Sequence, residues 1–203
     1  LKHGAASISD QGGSLGGSVN IQNTPEWNKA IDVKYNQGIG SYRTFNEFLQ
    51  FGIGSRKFRS QTRLYHNYSK NNYTFINRGV GEIDPETGDI INPLDTNKNA
   101  GYTVYGVLQE FYYRPDENNV LSAKWWFQDA DRALPKATSY EGPVNSNLNR
   151  QNDRHNRAVI DWKHFSDRSR MSLMAGYSSK QLDYKLENLV PGLGLVPAVY
   201  SES

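Results

Sequence analysis

KFRSQTRLYHNYS, residues 57–69, sets Lys57, Arg59, Gln61 and Arg63 on one face and Phe58, Thr62, Leu64 and Tyr68 on the other. A period of two sends successive side chains to opposite faces of a strand, so this stretch predicts a strand with one polar and one largely apolar face. Residues 28–37 repeat the pattern, with Ile31, Val33 and Tyr35 against Asp32, Lys34 and Asn36. Residues 43–54 place Leu49, Phe51 and Ile53 opposite Gln50 and two glycines. Residues 120–128 oppose Leu121, Ala123, Trp125 and Phe127 to Ser122, Lys124, Trp126 and Gln128. Residues 158–165 and 170–183 alternate similarly, while 102–113 carries aromatic residues on both faces near its end. No segment shows a sustained 3.6-residue apolar stripe, so the chain is expected to be all-β with about seven strands.

The links between these strands alternate in length. Ser55-Arg56, residues 114–119 and residues 166–169 are short and rich in Ser, Asp, Asn and Arg, whereas 70–101 and 132–157 are long and polar. An up-and-down antiparallel sheet has this pattern when one rim faces a confined compartment and the other faces open solvent, as in transmembrane β-barrels. Composition agrees: only 36% of the 203 residues are hydrophobic, and mean hydropathy is −0.74. A barrel tolerates that because half of each strand faces a polar lumen. Phe111-Tyr112-Tyr113 and Trp125-Trp126-Phe127 sit near strand ends, as in an interfacial girdle, although Tyr and Trp also favour strands in general. A soluble β-sandwich carbohydrate-binding module, burying one face of each strand, satisfies the same alternation. Detergent dependence separates the two.

Residues 4–21 read GAASISDQGGSLGGSVNI and lead into a short predicted strand at 18–23. This resembles the end of the plug domain of TonB-dependent outer-membrane receptors, through Gly4, Ser7, Leu15, Gly16, Gly17, Asn20 and Ile21. Asp10 and Gln11 stand where that family usually has an aromatic residue and a Gly. A linker at 24–27, a first strand, a tight Gly40-Ser41 link and a second strand follow in the family's order. Asn71-Asn72-Tyr73 through Asn77 looks like the opening of the second extracellular loop in Bacteroidetes-type receptors. Asp131-Arg132-Ala133-Leu134-Pro135 resembles the Arg-x-(Ile/Leu)-Pro element of the third.

The resemblance implies that residues 1–25 are the C-terminal end of a plug and its linker. It implies that 26–203 are the N-terminal part of a barrel of about 22 strands, with 190–203 opening a fourth outer loop. It further implies energy-coupled uptake of a scarce nutrient (an iron chelate, a corrinoid or a glycan) across the outer membrane of a Gram-negative bacterium. Implied partners are outer-membrane lipid, a TonB-type energy-coupling protein acting through the plug, the nutrient itself and a surface lipoprotein. By the same implication Gly16, Gly17 and Asn20 pack plug against barrel, and Arg59, Gln61 and Arg63 face the lumen and hold or guide the plug. Ligand-contact candidates on the long loops are Tyr73, Phe75, Asn77, Arg78, Arg132, Tyr140 and Asn145.

Other chemistries find little support. The nucleotide-binding loop needs a Lys after its glycines, and none follows Gly16 or Gly17. The acidic stretch Asp84-Pro85-Glu86-Thr87-Gly88-Asp89 lacks EF-hand spacing. His3, His66, His155 and His164 are scattered without i,i+3 or i,i+4 pairing, and there is no Cys, so no metal site is expected. Ser7 and Ser14 lack a sequence signature placing a His and a carboxylate beside them. The chain is therefore expected to be neither an enzyme nor a cofactor carrier. A formal charge of +2 is too balanced to suggest a nucleic-acid partner. No run approaches the roughly 20 apolar residues of a membrane helix.

Overall fold

The computed structural model describes residues 25–135, 149–190 and 194–202. Twelve strands occur among them: β1 (Ile31–Gly40), β2 (Thr44–Gly54), β3 (Phe58–Ser69), β4 (Thr74–Ile76), β5 (Glu82–Ile83), β6 (Ile90–Ile91), β7 (Leu94–Thr96), β8 (Tyr102–Tyr113), β9 (Asn119–Ala133), β10 (Arg150–Phe165), β11 (Arg170–Val190) and β12 (Gly194–Glu202). Eight form one antiparallel sheet in the order β1-β2-β3-β8-β9-β10-β11-β12. Each long strand pairs with its sequence neighbour, apart from the excursion 70–101, which folds into two small two-stranded sheets, β4-β7 and β5-β6. Links 55–57, 114–118 and 166–169 lie on one rim; 41–43 and 70–101 lie on the other, where β9 and β11 end and β10 and β12 begin.

The seven expected strands are present, and three features differ. Residues 194–202 form β12 rather than opening an outer loop. Its Pro197 lies opposite Glu187 on a strand at the end of the sheet order, where a missing N–H is tolerated. Within the stretch 132–157, residues 132–133 and 150–157 are strand rather than loop. β9 runs to Ala133 and β10 begins at Arg150, because the polar residues there satisfy one another across the ladder: Arg150 with Asp131 at 2.7 Å, Arg154 with Asp129 at 3.1 Å. The Gly40-Ser41 link is a turn over 41–43 with Tyr42 and Arg43 at φ 60° and 56°, left-handed values that non-glycine residues adopt at a cost of about 1–3 kcal/mol each.

Register sorts side chains into two contrasting faces. Phe51, Thr62, Gln109, Trp125, Ala158 and Tyr177 form one cross-strand row, and Ile53, Ser60, Phe111, Ala123, Ile160 and Ala175 the next row on the same face. The opposite face carries the row Gln50, Arg63, Leu108, Trp126, Arg157 and Ser178. The apolar face is open, with Ile31 68%, Ile160 63% and Leu173 68% exposed. The polar face is crowded, with Arg59 and Glu110 each 1% exposed and Tyr112 4%. Among the described strands each touches only its ladder neighbours, so no described second layer covers either face. The aromatic clusters divide accordingly: Phe111 and Tyr113 lie on the apolar face and Tyr112 on the polar one, while Trp125 and Phe127 oppose Trp126.

Gly106 shows how tightly the polar face packs. A Cβ there would come within 2.5 Å of the Tyr65 ring, which lies across Gly106 on the neighbouring strand. The Tyr65 hydroxyl then reaches Gln128 Oε1 at 2.8 Å, one strand further. Gly106→Ala is expected to cost about 1–3 kcal/mol by displacing that ring. In a Tyr65→Ala background the same change should cost much less, since the two residues share one site. Urea unfolding of the four proteins of this cycle checks the coupling.

Candidate functional site

The polar face carries a continuous chain of charge at the short-link end. Residues just before β1 run across this end: Gly54 N–H donates to Ala30 O at 2.9 Å, and Arg59 Nη1 to Lys29 O at 2.7 Å. Asp32 is the hub. It accepts from Gln50 Nε2 at 2.7 Å, and faces Lys29 Nζ at 2.8 Å and Arg59 Nη2 at 3.4 Å. Hydrogen bonding to Asp32 raises the Lys29 ammonium above its ordinary pKa. Gln50 Oε1 accepts from Arg63 Nε at 3.1 Å, Arg63 pairs with buried Glu110, and Glu110 Oε1 accepts from the Tyr112 hydroxyl at 2.9 Å. Trp27 meets the edge of Tyr112 at 6.5 Å, and the Arg114 guanidinium lies 4.8 Å from the Trp27 ring centre. Arg59 lies over Gly52 and Gly54, where a Cβ would approach it to 2.5 and 2.8 Å. Two small residues are needed because the guanidinium lies along the strand that carries them.

Arg59, Gln61 and Arg63 share this face, as their spacing requires, and Arg59 and Arg63 belong to the network. Its partners Asp32, Gln50 and Glu110 were not marked as site residues in the sequence, and Tyr112 stood out there only as part of an aromatic cluster, not as a member of the polar face. The only local signal was Asp32 and Gln50 on the polar faces of their own strands. Gly16, Gly17 and Asn20 lie outside the described residues.

At the other rim the loop candidates separate by role. Tyr73 and Phe75 pack with rings 6.0 Å apart, and Tyr73 meets Tyr42 edge-on at 6.0 Å. These contacts join the 41–43 turn to the long excursion, and Tyr42 and Tyr73 remain 50% and 38% exposed. Asn77 is buried: its Oδ1 accepts from Gly79 N–H at 3.0 Å and its amide donates to Asp95 Oδ2 at 3.4 Å. That side chain shapes the loop. Arg78 is exposed. Arg132 lies on the polar face at the rim, paired with Asp153. Tyr140 and Asn145 fall outside the described residues. In the acidic stretch, Asp84 Oδ1 accepts from the Glu86 and Thr87 backbone N–H groups at 2.8 and 3.4 Å. The Glu86 bond foremost holds the Asp84 carboxyl below its ordinary pKa. Its Oδ1 is committed to closing the β5-β6 turn.

The short links use the same device. Asp116 accepts from Asn118 N–H at 2.8 Å and from Asn119 Nδ2 at 2.9 Å. The Asn119 side chain in particular lowers the Asp116 pKa. A depressed folded-state pKa means that this contribution is complete above the ordinary aspartate value of roughly 4 and is lost as pH falls through the folded value. Hydrogen exchange of the Asn118 amide should therefore accelerate below about pH 4 beyond its intrinsic trend, and Asp116→Asn should remove that dependence. An unchanged acid dependence in the variant would show that Asp116 does not govern the turn.

Compared with known proteins, the chain matches no family model, and no curated protein matches it.

Proposed function

We propose that this chain is the end of the plug and the first part of the barrel of a TonB-dependent outer-membrane receptor importing a scarce nutrient. The observation that carries the proposal is the polarity of the sheet: an open apolar face backs onto a crowded, ion-paired one. A water-soluble sheet has the reverse arrangement, since a contiguous exposed apolar surface this broad is a liability in water. In a barrel the apolar face contacts lipid and the polar face lines the lumen.

Three further observations support it. Tyr105 and Tyr113 bracket Val107, Gln109 and Phe111 on the apolar face of β8. Eight residue steps at about 3.3 Å make about 26 Å of strand, comparable before tilt with the apolar band of an outer-membrane protein. Polar groups within this band satisfy one another, with Thr62 Oγ1 donating to Gln109 Oε1 at 2.6 Å and Gln109 Nε2 to Ser60 Oγ at 3.1 Å. Trp125 Nε1 likewise donates to Asn156 at 2.7 Å inside the band, while at its margin, in the row of Tyr113, Trp162 Nε1 donates to Asn119 at 3.1 Å, the amphipathic use of Trp expected at a headgroup boundary.

On this reading the nutrient binds at the long-loop rim and on the outer side of the plug. An energy-coupling protein then pulls on the plug from the periplasm, the plug rearranges and the ligand passes without any bond being made or broken. Arg59, Gln61 and Arg63 offer the polar wall against which the plug sits. Buried Arg59 Nε, without a hydrogen-bond partner among the described residues, leaves one donor for such a segment.

The test is the intact mass of the native protein in a washed outer-membrane fraction, identified by peptides of this chain. A mass several times 23.0 kDa in that fraction is expected. A mass near 23.0 kDa in the soluble fraction would overturn the receptor in favour of a soluble β-protein.

A further inference from the structure

Beyond the apolar band, on the same side of the sheet, a cavity of about 490 Å³ opens at the long-loop rim. Tyr68, Thr103 and Asp131 line it from one cross-strand row of the apolar face, two residues past Tyr105 on β8. Arg150 of β10 and the exposed Lys70 and Lys98 of the 70–101 excursion complete its charged wall. Arg150 bonds both oxygens of Asp131, through Nε at 3.0 Å and Nη2 at 2.7 Å. Asp131 is the one carboxylate among the described lining residues, so with that charge balanced the two lysines are the cavity's surplus.

The walls are fixed rather than borrowed from a free loop. Asn99, at φ 53°, donates its side-chain amide to Leu134 O and Asn149 O, each at 3.0 Å. Ala133 N–H donates to Gly101 O at 2.8 Å, and Asn97 Nδ2 to Asn71 O at 3.1 Å. The excursion is thereby tied to both ends of the next link.

Position and charge together select the ligand. With the apolar face in lipid, a cavity just past the aromatic margin and outside the sheet lies among headgroups, where a nutrient crossing the lumen does not pass. Ammonium groups favour phosphate through charge-assisted hydrogen bonds, and the Asn and Thr groups of the lining match sugar hydroxyls.

We propose that this cavity holds the phosphate-bearing sugar headgroup of a glycolipid in the surrounding leaflet, with Lys70 and Lys98 on the phosphate. The inference rests on the membrane placement proposed above. The native protein carrying this chain, reconstituted in phosphatidylcholine vesicles doped with a phosphorylated glucosamine glycolipid, should retain that glycolipid in native mass spectra. The K70Q/K98Q variant should hold it about thirtyfold more weakly, from two cations near an anionic surface, while inserting normally. Equal retention of the same glycolipid stripped of its phosphate would overturn the site. So would binding of inorganic phosphate with no binding of the glycolipid. Insertion without glycolipid preference would overturn the headgroup site and leave the receptor standing, whereas failure to insert into any vesicle would overturn both.

Discussion

Ile160→Arg is expected to destabilise the native protein in lipid by about 2–4 kcal/mol, the cost of a cation near the middle of a barrel's lipid-facing band. The size of the effect is diagnostic because Ile160 is 63% exposed. At a water-facing position, replacing so open a side chain rarely costs more than about 0.5 kcal/mol. Gln181→Arg is the control: it lies on the same face of the adjacent strand, in the row of Tyr105, Asp129 and Arg154 at the margin of the band. Near an interface the cost falls to about 0–1 kcal/mol. Urea unfolding of each variant from vesicles measures both. Equal, small costs at the two positions would sink the membrane placement even if the protein were recovered with membranes. A large cost at Ile160 alone would support it through depth dependence, which a soluble sheet cannot imitate.

The strands legible in the sequence were those whose two faces differ most. Arg59, Gln61 and Arg63 against Phe58 and Leu64 need no tertiary information to be sorted, because alternation alone places them. Alternation fails where both faces turn polar. Asp129, Asp131, Arg150, Asn152 and Arg154 look like loop until the register sets Asp129 opposite Arg154 and Asp131 opposite Asn152. β12 was hidden by its glycine and Pro197, loop signals that an edge strand accommodates. The candidate site was legible only by halves. Arg63 could be assigned to the polar face, yet its partner Glu110 stands 47 residues away. Their meeting depends on the pairing of β3 with β8, and a slip of one residue would send either side chain to the other face. At the loop rim the aromatic and amide residues stood out by type, but type does not distinguish exposed Tyr73 from Asn77, whose side chain is spent inside its own loop.

Arg63→Met should cost about 3–5 kcal/mol, the usual consequence of removing one member of a buried ion pair. Glu110 is 1% exposed, so without Arg63 its carboxylate keeps the Tyr112 hydroxyl but loses the Arg63 charge that helps offset its desolvation. The reverse change, Glu110→Leu, should cost less, because the Arg63 side chain is 20% exposed and also donates to Gln50. Arg63→Met combined with Glu110→Leu should recover much of the loss, since neither partner is then left charged and buried. Urea unfolding of the three variants beside the parent protein closes the cycle. A double variant as unstable as the sum of its parts would mean that the two side chains do not pair in the folded protein. A coupling of about 2 kcal/mol or more would instead locate a large share of the wall's stability at the contact between β3 and β8. The face that the proposal assigns to the plug would then be rigid before the plug is seated, so that pulling the plug away would leave the lumen wall in place.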